Sequence, residues 1–119
     1  MPIYHGSCHC GAVKFQFEGE AIENGLRCNC SLCSRKGAVM TPEAFPEERL
    51  QIEAEPEALG LYQFGAKTAK HYFCRNCGIY TFHETARAPG HFRCNVACLE
   101  EVEDPLALEV SVFDGKHLL

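Results

Sequence analysis

The stretch Cys28-Asn29-Cys30-Ser31-Leu32-Cys33 places three cysteines within six residues, and its pattern organises the rest of the chain. Two further clusters flank it, Cys8-His9-Cys10-Gly11 and Cys74-Arg75-Asn76-Cys77-Gly78. Together they hold seven of the nine cysteines. Two pairs complete one tetrahedral site of four sulfurs, and the triple left over makes a site with three protein ligands. Zinc sites with four protein ligands are usually structural, whereas sites with three keep a position for water or substrate. The count therefore predicts one metal that supports folding and one that supports chemistry.

Local spacing supports that division. Cys74-x-x-Cys77 can present both sulfurs to one ion across a tight turn, and Gly78 permits the positive φ such a turn needs. The flanking Tyr72-Phe73 and Ile79-Tyr80 put it at a hairpin tip, whereas a redox Cys-x-x-Cys motif would open a helix in a βαβ setting. Cys8 and Cys10, two apart in extended chain, point to one side. His9 points to the other, which disfavours it as a ligand. Hence Cys8, Cys10, Cys74 and Cys77 form the expected closed site and Cys28, Cys30 and Cys33 the open one. A second-ranked partition joins the triple to one of Cys8 or Cys10 and strands the other. His5, His71, His83, His91 and His117 have no ligand spacing to one another and read as surface or core residues.

The bulk numbers suit this reading. A chain of 119 residues fits a single domain over 1–119, and 46% hydrophobic residues allow a core without disulfides. The N-terminus lacks the basic and apolar segments of a secretory signal. No apolar run approaches the roughly 18 residues of a membrane span. A reducing, cytoplasmic setting with metal-bound thiolates is expected rather than a disulfide framework. Net charge is −5, with 16 acids against 11 Lys+Arg, which argues against a nucleic-acid partner. Basic residues nevertheless sit beside the cysteines: Arg27, Arg35, Lys36, Lys67, Lys70 and Arg75. They either offset thiolate charge or receive an anionic ligand.

Periodicity predicts a mainly β chain of small antiparallel sheets. Val13, Phe15 and Phe17 alternate with polar neighbours, as in a strand with one buried face. Ile79–His83 is rich in residues that suit a pleated surface. Phe92, Cys94, Val96 and Cys98 alternate, as do Leu108, Val110 and Val112. Shorter strands are expected at 50–52 and 70–73. Cys94 and Cys98 fall on the apolar side of their strand about 13 Å apart, so they read as core residues rather than ligands. Helix is confined to short turns near Ser31–Lys36 and Pro42–Phe45.

Gly6-Ser7-Cys8-His9-Cys10-Gly11-Ala12-Val13, then the triple, then Phe73-Cys74-Arg75-Asn76-Cys77-Gly78 resemble the glutathione-dependent formaldehyde-activating enzyme (GFA) family, a domain shared with centromere protein V. The segment Asn95-Val96-Ala97-Cys98-Leu99 resembles a late strand of that family. The resemblance implies a β-tent of small antiparallel sheets stapled by zinc, with two zinc ions per chain. It implies a structural ion on Cys8, Cys10, Cys74 and Cys77 and a catalytic one on Cys28, Cys30 and Cys33. It also implies carbon–sulfur lyase chemistry, the reversible addition of glutathione to formaldehyde giving S-(hydroxymethyl)glutathione. One departure stands out: family members often carry a basic residue directly after the third cysteine of the triple, whereas this chain has Ser34 and then Arg35-Lys36. Two functions follow for test, a zinc enzyme acting on a small thiol or its adduct and a non-catalytic zinc-stapled binding module. Candidates for moving the thiol proton are Tyr62, Tyr72, Tyr80 and His83.

Overall fold

Alternation along Val13-Lys14-Phe15-Gln16-Phe17-Glu18 turns every second side chain inward, and the structure builds its core on that strand. The computed structural model describes residues 1–118. β1 (Ile3–Ser7), β2 (Val13–Glu18) and β5 (Leu50–Ala54) form an antiparallel sheet with β2 in the middle. The second sheet has five antiparallel strands in the order β4-β9-β8-β7-β6: Phe45–Pro46, His91–Cys94, Tyr80–Glu84, Lys70–Cys74 and Leu59–Tyr62. The two sheets face each other through aromatic rings. Phe15 meets Phe82 edge-on at 5.2 Å, and Phe17 stacks on Phe45 at 4.4 Å, separations at which aromatic pairs add to simple burial. Gly6 lies opposite Phe15 on β1, where the ring occupies the space a side chain would take. No helix among the described residues is long and apolar enough to cross a membrane.

The remaining strands correct parts of the expectation. β3 (Gly25–Cys28) pairs in parallel with β10 (Val110–Phe113) in a sheet of two. Periodicity gave Val110 and Val112 a buried face, yet both are exposed and Phe113 is the residue that turns inward. A two-stranded edge has too little surface to cover both faces. The helical turn expected at Pro42–Phe45 is instead a bend at Pro42 and Glu43 that leads into β4 at Phe45. Thr41 N–H donates to the Cys94 carbonyl, Cys94 N–H donates to the Thr41 hydroxyl oxygen, and Arg93 donates to the carbonyls of Thr41 and Pro42. The strand expected through Cys98 stops at Cys94, where Asn95 caps a 3-10 turn over Val96–Cys98. Cys94 is fully buried as expected, whereas Cys98 is half-buried against the core, outside any strand. The helix at Ser31–Lys36 (α1) holds, and a second short helix, α2, covers Gly115–Leu118.

Candidate functional site

The cysteine-pair spacings are realised as two loops that meet. β7 and β8 form a hairpin whose tip carries Cys74 and Cys77, closed by the bond from Gly78 N–H to the Cys74 carbonyl, with Gly78 at φ +80°. The turn after β1 carries Cys8 and Cys10. All four sulfurs lie within 4.8 Å of one another. Cys8 Sγ–Cys10 Sγ and Cys10 Sγ–Cys74 Sγ are both 3.7 Å. A tetrahedron with zinc–sulfur arms of about 2.3 Å has edges of about 3.8 Å. Backbone N–H groups already point at the sulfurs: Val13 N donates to Cys8 Sγ at 3.3 Å, and Asn76 N and Cys77 N donate to Cys74 Sγ at 3.3 and 3.4 Å. Such outer contacts orient thiolates for a metal. The donor set suits zinc and spans from the core, where Cys74 is fully buried, to the surface at Cys10. His9 is exposed and stands outside this group.

Cys28, Cys30 and Cys33 form a separate group, again within 4.8 Å. The second-ranked partition, which mixed the triple with Cys8 or Cys10, is not the arrangement found. Cys28 ends β3, Cys30 caps α1 by accepting from Cys33 N at 3.4 Å, and Cys33 lies in the first turn. The three therefore occupy one local segment. All nine cysteines are free thiols, so no disulfide competes for them.

The two groups differ in what surrounds them. The triple forms part of the wall of a cavity of about 350 Å³. Its apolar side is Leu26, Met40, Phe64 and Phe113. Arg27, Lys36, Arg87 and Arg93 also line it, and among the described residues no carboxylate does. In a chain of net charge −5 this is a local reversal of sign. Lys36 lies deepest of the cations. Its Nζ is buried without a hydrogen-bond partner and sits 3.7 Å from the Tyr80 ring centre. Burial lowers the Lys36 pKa, and the adjacent Cys33 thiol opposes that shift. Burial likewise pushes Cys33 up to about 12, against the pull of Lys36. An orphaned ammonium beside three thiols is the partner a trithiolate metal site needs, because three thiolates leave a zinc ion with about one excess negative charge. The residues present thus fit a metal at this position. Arg87 stacks on Phe113 at 3.6 Å. Arg93 carries a buried Nε with no partner, and burial, then Arg87, pulls it down to about 10.

Of the three cations expected beside the triple, Arg27 and Lys36 reach the cavity. Arg35 does not: it is exposed, and its guanidinium folds back to the Ser31 carbonyl at 2.7 Å. The basic residue missing after the third cysteine is supplied one helical turn on, by Lys36. Residues distant in sequence, Arg87 and Arg93, complete the positive lining, and no local motif marks them.

Two histidines that read as ordinary core or surface residues lie here as well. His71 and His83 pair across β7 and β8 and both line the cavity. Between them stands the Tyr80 hydroxyl, 2.8 Å from His71 Nδ1 and 2.7 Å from His83 Nδ1. A β-bulge makes this possible. The register shifts between Tyr72 and Phe73, so that Tyr80 rather than Thr81 lies opposite Phe73. Phe73 shares its strand face with His71, two residues away, and the extra residue thus brings Tyr80 onto the histidine face. Burial, then the Lys36 charge, pulls His71 down to about 4 and His83 well below the ordinary range. Burial raises Tyr80. All three are neutral at neutral pH. Of the proton-transfer candidates, His83 lines the cavity and Tyr80 is joined to it through the two imidazoles, whereas Tyr62 and Tyr72 neither line it nor bond to those rings.

Comparison with known proteins agrees with the geometry. A crystal structure of a Rhodobacter sphaeroides protein is 41% identical, covering 90% of this chain and 99% of that one, with a TM-score of 0.79. Residues 3–116, a span that includes both thiol groups and the His71–Tyr80–His83 cluster, match the family described as glutathione-dependent formaldehyde-activating enzyme, and the chain belongs to that family.

Proposed function

We propose that this chain is a zinc-dependent enzyme of the carbon–sulfur lyase type. In this reading it adds the thiol of glutathione to formaldehyde, giving S-(hydroxymethyl)glutathione, and catalyses the reverse reaction. Residues 1–119 act as one domain, working in a reducing compartment such as the cytoplasm. Cys8, Cys10, Cys74 and Cys77 would hold a structural ion, and Cys28, Cys30 and Cys33 a catalytic one. The observation that carries the proposal is that the triple opens onto a cavity lined by Arg27, Lys36, Arg87 and Arg93, whereas the hollow beside Cys10 is lined by Glu53 and Glu100. Zinc held by three thiolates is a weak acid toward water but accepts a soft sulfur ligand, which favours thiol transfer over hydrolysis.

The chain's own residues divide the remaining work. Lys36 offsets the thiolate charge from within the wall. Arg27 and Arg87, at the more exposed part of the lining, meet the carboxylates of a peptide-like thiol by charge-assisted hydrogen bonds. Leu26, Met40, Phe64 and Phe113 keep the thiol end dry, which strengthens each of these interactions.

The test is exchange NMR with carbon-13 formaldehyde and glutathione. The zinc-loaded protein should accelerate interconversion of aldehyde and adduct, and Cys30→Ala should abolish the acceleration while keeping the fold. Equal exchange with and without protein would replace the enzyme by a zinc-stapled binding module.

A further inference from the structure

We propose that His71, Tyr80 and His83 form a neutral proton relay with both ends at the thiol cavity. One imidazole takes the proton from a substrate thiol, and the other returns it to the carbonyl oxygen. The inference rests on the reading that this cavity adds thiols to carbonyls.

A tyrosine hydroxyl has one proton to donate. Tyr80 lies within 2.8 Å of two ring nitrogens, both Nδ1. It can donate to one of them and must accept from the other. One ring therefore carries its proton on Nδ1 and has a bare Nε2. The other has a bare Nδ1 and carries its proton on Nε2. Both rings being neutral, the cluster holds a base and an acid joined through a single hydroxyl. Among the described residues neither Nε2 has a partner, and neither is among the buried orphan atoms. Both imidazoles line the cavity. The working ends therefore face where a substrate would lie.

The addition balances on this relay. The thiol S–H bond breaks and its proton enters at the bare Nε2. That ring's Nδ1 proton passes to the Tyr80 oxygen, and the Tyr80 proton passes to the second Nδ1. The second ring's Nε2 proton goes to the carbonyl oxygen. Meanwhile the sulfur electron pair forms the S–C bond and the C=O π pair becomes the new O–H bond. Nothing is oxidised or reduced, and no net charge enters the buried cluster. That matters because an imidazolium here would be desolvated and close to Lys36. Each addition leaves the two rings with exchanged tautomers. The reverse reaction, or an addition with the two roles swapped, restores them.

Two measurements test this on the zinc-loaded full chain. The first is two-bond proton–nitrogen correlation NMR on protein labelled in histidine. His71 and His83 should show opposite neutral tautomers at pH 7. Two rings of the same tautomer, or either as imidazolium, would overturn the relay irrespective of activity. The second uses Tyr80→Phe, which keeps the ring beneath Lys36 and removes the hydroxyl. The exchange rate at saturating substrate should fall by about 100-fold or more, the usual scale of acid–base catalysis. KM for the thiol and zinc content should stay unchanged. The rate in mixed light and heavy water should be bowed for the wild type, where several protons move together, and linear for Tyr80→Phe. His83→Gln, measured alongside, should lose rate similarly and keeps the test open if Tyr80→Phe fails to fold. Turnover within about twofold of wild type in a folded variant overturns the relay alone. A wild type with no turnover overturns the reading of the site on which it rests.

Discussion

Replacing Cys74 by serine should cost far more stability than replacing Cys30 by alanine, although each removes one thiol from a metal group. Cys74 and Cys10 are 64 residues apart, with their sulfurs at 3.7 Å. A metal that ties them closes a loop of that length. Chain-entropy bookkeeping for a cross-link of this size gives about 4 kcal/mol at 25 °C. Typical net stabilities are only about 5–15 kcal/mol. Cys28, Cys30 and Cys33 lie within one six-residue segment, so a metal there closes almost no loop. Cys74 is moreover fully buried against the Phe15–Phe82 core, whereas Cys30 lies at a cavity wall. Guanidinium unfolding at fixed zinc, followed by circular dichroism, measures the difference. Cys74→Ser should lose roughly 4 kcal/mol or more and Cys30→Ala no more than about 1–2 kcal/mol. Equal losses in the two variants would refute the assignment of a folding role to one group and not to the other.

Gly6→Ala places a Cβ 2.2 Å from the Phe15 ring. It should destabilise by about 1–3 kcal/mol, and Phe15→Leu in the same chain should recover part of that; additive losses would show that the ring does not sit on Gly6. Cys94→Ala should cost on the order of 1 kcal/mol and leave the zinc content unchanged by elemental analysis; loss of an ion would move Cys94 from core to ligand. His71 should remain neutral to below pH 5 in a proton NMR titration. Its folded value, about 4, lies below the ordinary value of about 6.5. The unfolded chain therefore takes up the proton first, and burying this imidazole makes the fold less stable as pH falls from about 6.5 toward 4. An inflection near 6.5 would contradict the burial described.

The sequence carried the two thiol groups because metal chelation is local: Cys28-x-Cys30-x-x-Cys33 and Cys74-x-x-Cys77 are close before the chain folds. The β2 strand was legible for the same reason, since its alternation needs only one buried face. What could not be read depends on pairing. The bulge that brings Tyr80 beside His71 and His83 exists only in the β7–β8 register, and no residue type in 80–83 announces it. Arg87 and Arg93 reach the cavity from a loop and a strand far from the triple. Arg35 misled because proximity in sequence to Cys33 does not fix direction on a helix, where Lys36 faces the cavity and Arg35 turns back to Ser31. Val110 and Val112 misled because alternation identifies two faces without saying that either is covered.

The most direct test of the account is a thiol titration of the protein loaded with cobalt in place of zinc. Cobalt at the triple should give a new sulfur-to-metal charge-transfer band that saturates with glutathione. The band should be weaker with a neutral thiol, given the Arg27, Lys36 and Arg87 lining, and absent in Cys30→Ala. A cobalt spectrum that no thiol alters would contradict the claim that Cys28, Cys30 and Cys33 build a thiol-activating centre.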